Sequence, residues 1–256
     1  MQHRSVEEHV AGLLAAAGEF EHEASTAGLD AAVPTCPRWT VRDLVAHQGM
    51  VHRWARATLL QQPCHPPGWN AEGHEVADPV AWLAEGAAAL ATTIGEVADD
   101  VAAMVFLRDA PPPRTFWARR QCHETTIHAV DALAARLGGA APPDVAVWID
   151  DAVALDGVDE LLTGFVTRGR SRFRGAGPLR FVVRPDGSDR SWTVRVADDG
   201  AVTTDRDRPA RDDDPVLAGT PRALYLTLWN RAAPGAVKDD GGVLEVWRGR
   251  ARVRWS

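Results

Sequence analysis

Three residues of the kinds that bind metal ions stand at positions that a helical fold could bring together. His47 belongs to one amphipathic segment, and Glu124 and His128 are four residues apart in a second one. Side chains four apart on a helix lie one above the other on the same face. Two imidazoles and one carboxylate that converge form an open metal site, whose remaining positions stay available for water or a substrate. The spacing therefore predicts a metal centre of His47, Glu124 and His128.

The helical phase of each segment decides which other polar residues can reach that centre. Three-four spacing turns His47 toward the interior, on one stripe with Leu44, Val51 and Trp54. His52 is about 140° around a regular helix from His47, so it belongs to the neighbouring face. Asp131, three residues beyond His128, is placed to accept an N–H from that imidazole or to order a water. His123 is expected to face elsewhere.

Each of these residues also has an ordinary structural interpretation. A Glu-x-x-x-His pair is common on helices, and a single inward histidine is more often a hydrogen-bonded core residue than a ligand. The combination favours a metal, because three ionisable groups facing an apolar bundle centre would cost several kcal/mol without a partner. The two interpretations remain open on the sequence alone.

Four amphipathic helices are predicted in residues 1–140. The starts of three of them carry capping signals, namely Ser5 with Glu8, Thr40 with Asp43, and Asp78 with Pro79. The stretch 61–78 is rich in proline and glycine and is predicted to be a loop. The fourth helix is expected to run from about Phe116 to Leu137, where two glycines follow. Four such helices with longish loops form a bundle.

The pattern changes after a linker at residues 138–143. A helix is predicted over residues 144–166, and then two β-rich runs that Asp186-Gly187 joins as a hairpin. Residues 198–200 mark another turn, and residues 215–231 are predicted to be helical. VLEVWRG with ARVRWS is predicted to supply one or two final strands. We therefore predict an α+β protein, with the bundle in residues 1–140 and a smaller α+β domain in residues 144–256.

Composition argues against several classes of function. The net charge of -7 disfavours nucleic acid or an anionic membrane as a partner. The chain contains no apolar run of about eighteen residues, and its N-terminus lacks the apolar core of a signal peptide. Its three cysteines show no CxxC spacing, which is typical of free thiols in a reducing cytosol. We expect a cytoplasmic protein that is a monomer or a homodimer.

Two blocks of sequence resemble a known family. VPTCPRWTVRDLVAHQGMVHRWA, followed by WARRQCHETTIHAVDALAARLG, is similar to the mycothiol-dependent maleylpyruvate isomerase family, a branch of the DinB-like metal-binding bundles. The resemblance covers most of the chain, including a smaller C-terminal α/β domain. It implies a DinB-like four-helix bundle with a divalent ion, usually zinc, at His47, Glu124 and His128. It also implies a low-molecular-weight thiol, mycothiol, as cosubstrate.

The family further implies an arginine from the C-terminal domain that faces the site. The best match is Arg231 in LYLTLWNR, where Asn230 replaces the glycine that relatives usually carry. We also expect Trp54 and Trp117 to line the cleft, because each shares a helical stripe with a proposed ligand.

The chemistry that such a site implies is activation of a thiol. A metal-bound thiol loses its proton near neutral pH, and the thiolate can add to an electron-poor alkene. Elimination after rotation gives cis-trans isomerisation, whereas keeping the adduct gives S-transfer, and the sequence leaves both open. The alternative is a non-catalytic bundle that binds a small molecule or a partner protein.

Overall fold

The chain forms two compact units. The computed structural model describes residues 4–107, 110–168, 173, 175, 177–208 and 210–251. Unit 1 comprises Met1–Phe106 and Ala110–Ala141, and unit 2 comprises Leu107–Asp109 and Pro142–Ser256. Unit 1 is helical, whereas unit 2 combines helices with a five-stranded sheet. The α+β class is confirmed. In the part of the chain that the structure describes, no helix is long and apolar enough to cross a membrane.

Unit 1 is a four-helix bundle with one additional short helix. Its helices are α1 (Val6–Ala27), α2 (Val41–Leu59), α3 (Pro66–Glu75), α4 (Pro79–Glu96) and α5 (Pro113–Leu137). Helix α1 packs on α5 and α4, and α2 packs on α4, α3 and α5. The contacts bury one apolar stripe from each long helix, including Leu13, Leu44, Leu83 and Ile127.

The predicted caps are present. Ser5 and Glu8 form a capping box at α1, Thr40 and Asp43 form one at α2, and Asp78 accepts the N–H of Ala81 at α4. Helix α5 ends at Gly138, whose φ of 69° is left-handed and therefore suits glycine. The two helices that carry the candidate ligands therefore each have one end set by a local signal, α2 at Thr40 and α5 at Gly138.

One prediction for unit 1 was wrong. The stretch 61–78 was expected to be a loop, but it contains α3. Pro66 and Pro67 occupy the first turn of this helix, where a backbone N–H has no intrahelical partner, so proline there costs no hydrogen bond. Helix α3 then packs against α2, and that packing outweighs the two glycines within the helix.

Unit 2 is built on a mixed sheet. Its strands are β1 (Leu179–Pro185), β2 (Trp192–Val196), β3 (Val202–Arg206), β4 (Val216–Gly219) and β5 (Lys238–Asp239). They lie in the order β3-β2-β1-β4-β5, in which only the β1–β4 pair is parallel. The helices of this unit are α6 (Asp151–Asp159), a π-helical segment (Glu160–Phe165), α7 (Pro221–Leu228) and α8 (Val243–Arg250). The predicted β1–β2 hairpin is confirmed.

Three element predictions for unit 2 need correction. Helix α6 begins at Asp151 rather than at residue 144, because Asp150 caps it by accepting the N–H of Val153. The predicted helix over residues 215–231 is a strand, β4, followed by the shorter α7 with Thr220 as its cap. The parallel partner β1 satisfies the backbone of β4, and the sequence of β4 does not show that pairing.

The segment VLEVWRG is helix α8 and not a strand. Its buried residues are Val243, Leu244 and Trp247, which share a helical face. Asp239 accepts the N–H groups of Val243 and Leu244, both at 2.9 Å, and so satisfies the first turn. Of the other predicted strand, ARVRWS, all but Ala251 lies outside the described residues.

Candidate metal centre

His47, Glu124 and His128 meet inside unit 1. One ligand atom from each residue can be chosen so that all three lie within 4.8 Å of one another. The two imidazole rings are perpendicular, with their centroids 5.3 Å apart and an interplanar angle of 81°. Helix α2 supplies His47, and successive turns of α5 supply Glu124 and His128. The packing of α2 on α5 therefore assembles the group that the spacing predicted.

The residues of the candidate centre differ in burial. Glu124 and His128 are buried, whereas His47 is only partly buried. Trp39, also partly buried, lies over both imidazoles, with ring centroids 4.9 Å from His47 and 6.3 Å from His128. His47 and Trp39 are therefore the least enclosed of these side chains.

Asp131 holds His128 in place. One carboxylate oxygen, Oδ2, lies 2.9 Å from Nδ1 of His128, and the other, Oδ1, accepts the hydroxyl of Thr35 at 2.5 Å. The thiol of Cys36 donates to Oδ2 from 3.8 Å. A carboxylate beside Nδ1 favours the tautomer with its proton on that nitrogen, which presents Nε2 of His128 to a metal. The predicted role of Asp131 beside a ligand imidazole therefore agrees with this geometry.

Arg120 holds Glu124 from one turn earlier on α5. Its Nε donates to Oε2 of Glu124 at 3.1 Å, and both side chains are buried. Two of the candidate ligands therefore have a charged partner, since the Asp131 carboxylate contacts His128 and the Arg120 guanidinium contacts Glu124.

Burial keeps His47 in the form that can bind a metal. Desolvation, and then the neighbouring His128, lower the pKa of His47 from 6.5 to about 3, against a smaller opposing effect of Asp131. The imidazole is therefore neutral at physiological pH, as coordination requires.

His52 belongs to a separate buried network, as its helical phase predicted. Its Nε2 lies 2.9 Å from both Nε2 of Gln48 and Oγ1 of Thr125, and Gln48 also donates to Thr125 at 3.0 Å. Burial lowers the pKa of His52 to about 3, partly opposed by a hydrogen bond with the backbone of Leu83. This network links α2 to α5 beside the candidate ligands. His123 likewise faces elsewhere, with its ring edge-on to His9 at 6.2 Å.

The two tryptophans expected to line the cleft form an aromatic cluster. Trp54 and Trp117 are edge-to-face at 5.1 Å, and Phe106 and Phe116 pack around them. The indole N–H of Trp117 donates to the carbonyl of Met104 at 3.0 Å. Trp39, which packs on the ligand imidazoles, was not among the residues predicted from the sequence. Its place next to the α2 cap, Thr40, was the available signal, but its contacts depend on the tertiary fold.

Arg231 lies in unit 2, three residues beyond the last residue of α7, Leu228. It is largely buried, its backbone N–H donates to the carbonyl of Leu226 at 2.7 Å, and its Nη1 donates to the carbonyl of Trp229 at 3.0 Å. The preceding residue, Asn230, has a φ of 60°. This is the left-handed region that glycine favours and asparagine tolerates best among other residues. Asn230 therefore reproduces the backbone conformation expected of the glycine it replaces.

The donor set of the candidate centre fits a divalent metal. Two imidazole nitrogens and one carboxylate oxygen are the ligands of open zinc sites, and a spacing of no more than 4.8 Å lets all three reach one ion after small side-chain adjustments. A structural site would require a fourth protein ligand, whereas a three-ligand site keeps a position for an exogenous molecule. The candidate centre, with three protein side chains, matches the open type.

Both units match known sequence profiles. The sequence profile described as the mycothiol maleylpyruvate isomerase N-terminal domain matches residues 10–133, and the one described as the MDMPI C-terminal domain matches residues 152–248. The first range contains the three candidate ligands, and the second contains Arg231. No curated protein matches the chain.

Two solved structures share the fold. They are a crystal structure of the mycothiol-dependent maleylpyruvate isomerase and one of a histidine-to-alanine mutant of that enzyme. Each has a TM-score of 0.59 and 18% sequence identity, and each alignment covers 92% of this chain and 93% of the other. The similarity therefore extends through both units.

Proposed function

Because this chain belongs to the mycothiol-dependent maleylpyruvate isomerase family, we propose that it is a metal-dependent enzyme that uses a low-molecular-weight thiol. The metal is a divalent ion, zinc, held by His47, Glu124 and His128, and the thiol is of the mycothiol type. The observation that carries this proposal is the convergence of these three side chains, whose ligand atoms lie within 4.8 Å of one another.

The residues around the site would each have a separate task. A divalent ion bound there would lower the pKa of a coordinated thiol, so that the sulfur is a thiolate near neutral pH. Asp131 orients His128, and Arg120 holds one oxygen of Glu124. Trp39 covers the two imidazoles and offers an aromatic surface beside them. We also propose that Trp54 and Trp117 line the thiol site.

The reaction would begin with addition of sulfur to an electron-poor double bond. A carbon–sulfur bond forms, and the displaced electron pair moves onto the conjugated carbonyl oxygen. Rotation about the former double bond and loss of the thiol would give the cis-trans isomerisation of the family name. Protonation at carbon would instead retain the thioether and give S-transfer. Both outcomes use the same residues, so we propose thiol addition as the common step.

Arg231 would supply the second positive charge. Addition builds negative charge on the carbonyl or carboxylate of the acceptor, and a guanidinium can bind such a group through two parallel hydrogen bonds. The match of unit 2 to the family and the glycine-like backbone of Asn230 support this role. Arg231→Ala should lower turnover by about a hundredfold, the usual effect of losing one charge-stabilising donor, without loss of metal.

The test is a thiol-addition assay with zinc-loaded protein. Mycothiol is supplied with maleylpyruvate, with other activated alkenes and with epoxides. Both the isomerised product and the thioether are measured. We expect turnover in the wild type and none in His128→Ala, with His52→Ala as the matched histidine control that keeps its zinc. A zinc-loaded wild type that is inactive on the whole panel would favour the alternative of a non-catalytic binding protein.

A further inference from the structure

Arg120 is a fully buried arginine inside the helical bundle. It lies one turn before Glu124 on α5, and its Nε donates to Oε2 of that carboxylate at 3.1 Å. Arginine is almost never fully buried unless it is paired. Its position, directly behind a candidate metal ligand rather than at the protein surface, requires an explanation.

The charges of the metal-free site explain why Arg120 is buried there. Without a metal, Glu124 is a buried carboxylate, and a buried charge without a counter-charge is strongly destabilising. The guanidinium of Arg120 donates a hydrogen bond directly to that carboxylate and carries the opposite charge. Asp131 adds a second buried negative charge one turn beyond His128. Arg120 therefore offsets charge that would otherwise oppose folding of the metal-free chain.

We propose that Arg120 is a positioning residue that acts as the counter-cation of Glu124, keeping the metal-free bundle folded and limiting how tightly the metal is held. The guanidinium occupies Oε2, which fixes the orientation of the carboxylate toward His47 and His128. The same positive charge repels an incoming cation. The effect on metal affinity rests on the proposed metal site, whereas the effect on the metal-free fold does not.

The two contributions of Arg120 to metal affinity have opposite signs. Losing an orienting partner usually weakens metal binding by about 10–100-fold. Removing a full positive charge a few ångströms from a divalent ion strengthens binding, and Coulomb's law at an intermediate dielectric makes this the larger effect. Zinc should therefore bind at least about tenfold more tightly once the charge is removed.

The experiment measures thermal unfolding with a chelator and with zinc, together with zinc affinity by chelator competition. The variants are Arg120→Met, Arg120→Lys and the double variant Arg120→Met/Glu124→Gln, with Arg119→Met as the control for losing a neighbouring arginine of α5. In chelator, the Tm of Arg120→Met should fall by about 10 °C, and the double variant should recover most of that loss. Zinc should raise the Tm of Arg120→Met by more than it raises that of the wild type. Arg120→Lys, which keeps the charge, should stay near the wild type.

Three results would each overturn the proposal. The Tm of Arg120→Met could fall equally with and without zinc, the double variant could fail to recover the loss, or Arg120→Met could bind zinc more weakly than the wild type. If Arg120→Met is soluble only with zinc, or if only the double variant folds in chelator, the counter-cation role is supported. If neither the single nor the double variant folds, Arg120 is a packing residue and the proposal fails. A wild type that binds no zinc would refute the proposed metal centre, yet the comparison of the single and double variants in chelator would still decide the role of Arg120.

Discussion

Replacing Asp131 with asparagine would remove one buried negative charge from the candidate metal centre while preserving the shape of the side chain. Asp131 is fully buried and has two close partners, Nδ1 of His128 at 2.9 Å and the hydroxyl of Thr35 at 2.5 Å. Hydrogen bonds to a charged group are each worth about 1.5–3 kcal/mol. Loss of the carboxylate behind a ligand imidazole should weaken zinc binding by about 10–100-fold, or about 1.4–2.7 kcal/mol.

The assay is competition for zinc against a chromophoric chelator, with thermal unfolding as a check that each variant is folded. Thr35→Val is the matched control, because it removes the hydroxyl donor and leaves the charge on Asp131. Because the negative charge beside His128 is kept, losing this one donor should change zinc affinity by no more than about threefold. If Asp131→Asn binds zinc within about twofold of the wild type, then Asp131 does not set the ligand state of His128 and the reasoning is wrong.

Three further predictions concern other parts of the chain. His128→Ala should abolish zinc binding in metal analysis of purified protein, whereas His52→Ala should keep the ion, and equal loss in both would refute the separation of the two networks. His52 has a folded pKa of about 3 against an ordinary 6.5, so its stabilising effect is complete above pH 6.5 and is lost as the pH falls toward 3. Chelator-treated protein should therefore lose about 2 kcal/mol between pH 7.5 and pH 5 in urea unfolding through this residue, and His52→Gln should lack that part of the slope. Asn230→Gly should cost about 1 kcal/mol for the lost hydrogen bond to the carbonyl of Ala251, whereas Asn230→Val should cost about 1–2 kcal/mol more, since a β-branched residue resists a φ of 60°. Similar unfolding energies for the two Asn230 variants would contradict the backbone argument.

The parts of the structure that the sequence predicted depend on local spacing. The capping boxes at Ser5 and Thr40 and the end of α5 at Gly138 are short-range signals that each helix carries within itself. The faces of His47 and His52 follow from helical geometry alone, because 3.6 residues complete a turn. For the same reason the sequence could place the candidate ligands on inward faces of two helices.

The parts that the sequence did not predict depend on contacts between distant segments. Strand β4 exists because β1 pairs with it in parallel, and α3 is stabilised by packing on α2. Trp39 reaches the ligand imidazoles from the loop before α2, where the backbone N–H of Trp39 donates to the carbonyl of Cys36. The four-residue spacing of Arg120 and Glu124 was visible in the sequence, but only burial of the pair distinguishes it from a solvent-exposed helix ion pair.

The central claim is that a metal held by His47, Glu124 and His128 binds the sulfur of a small thiol. Cobalt(II) in place of zinc makes this directly measurable, because a thiolate bound to cobalt gives an intense near-ultraviolet charge-transfer absorption. We predict that mycothiol added to cobalt-loaded protein produces this absorption, saturating at one thiol per metal, and that His128→Ala shows neither cobalt binding nor the absorption. A wild type that binds one equivalent of cobalt and whose spectrum does not change with mycothiol would contradict the account.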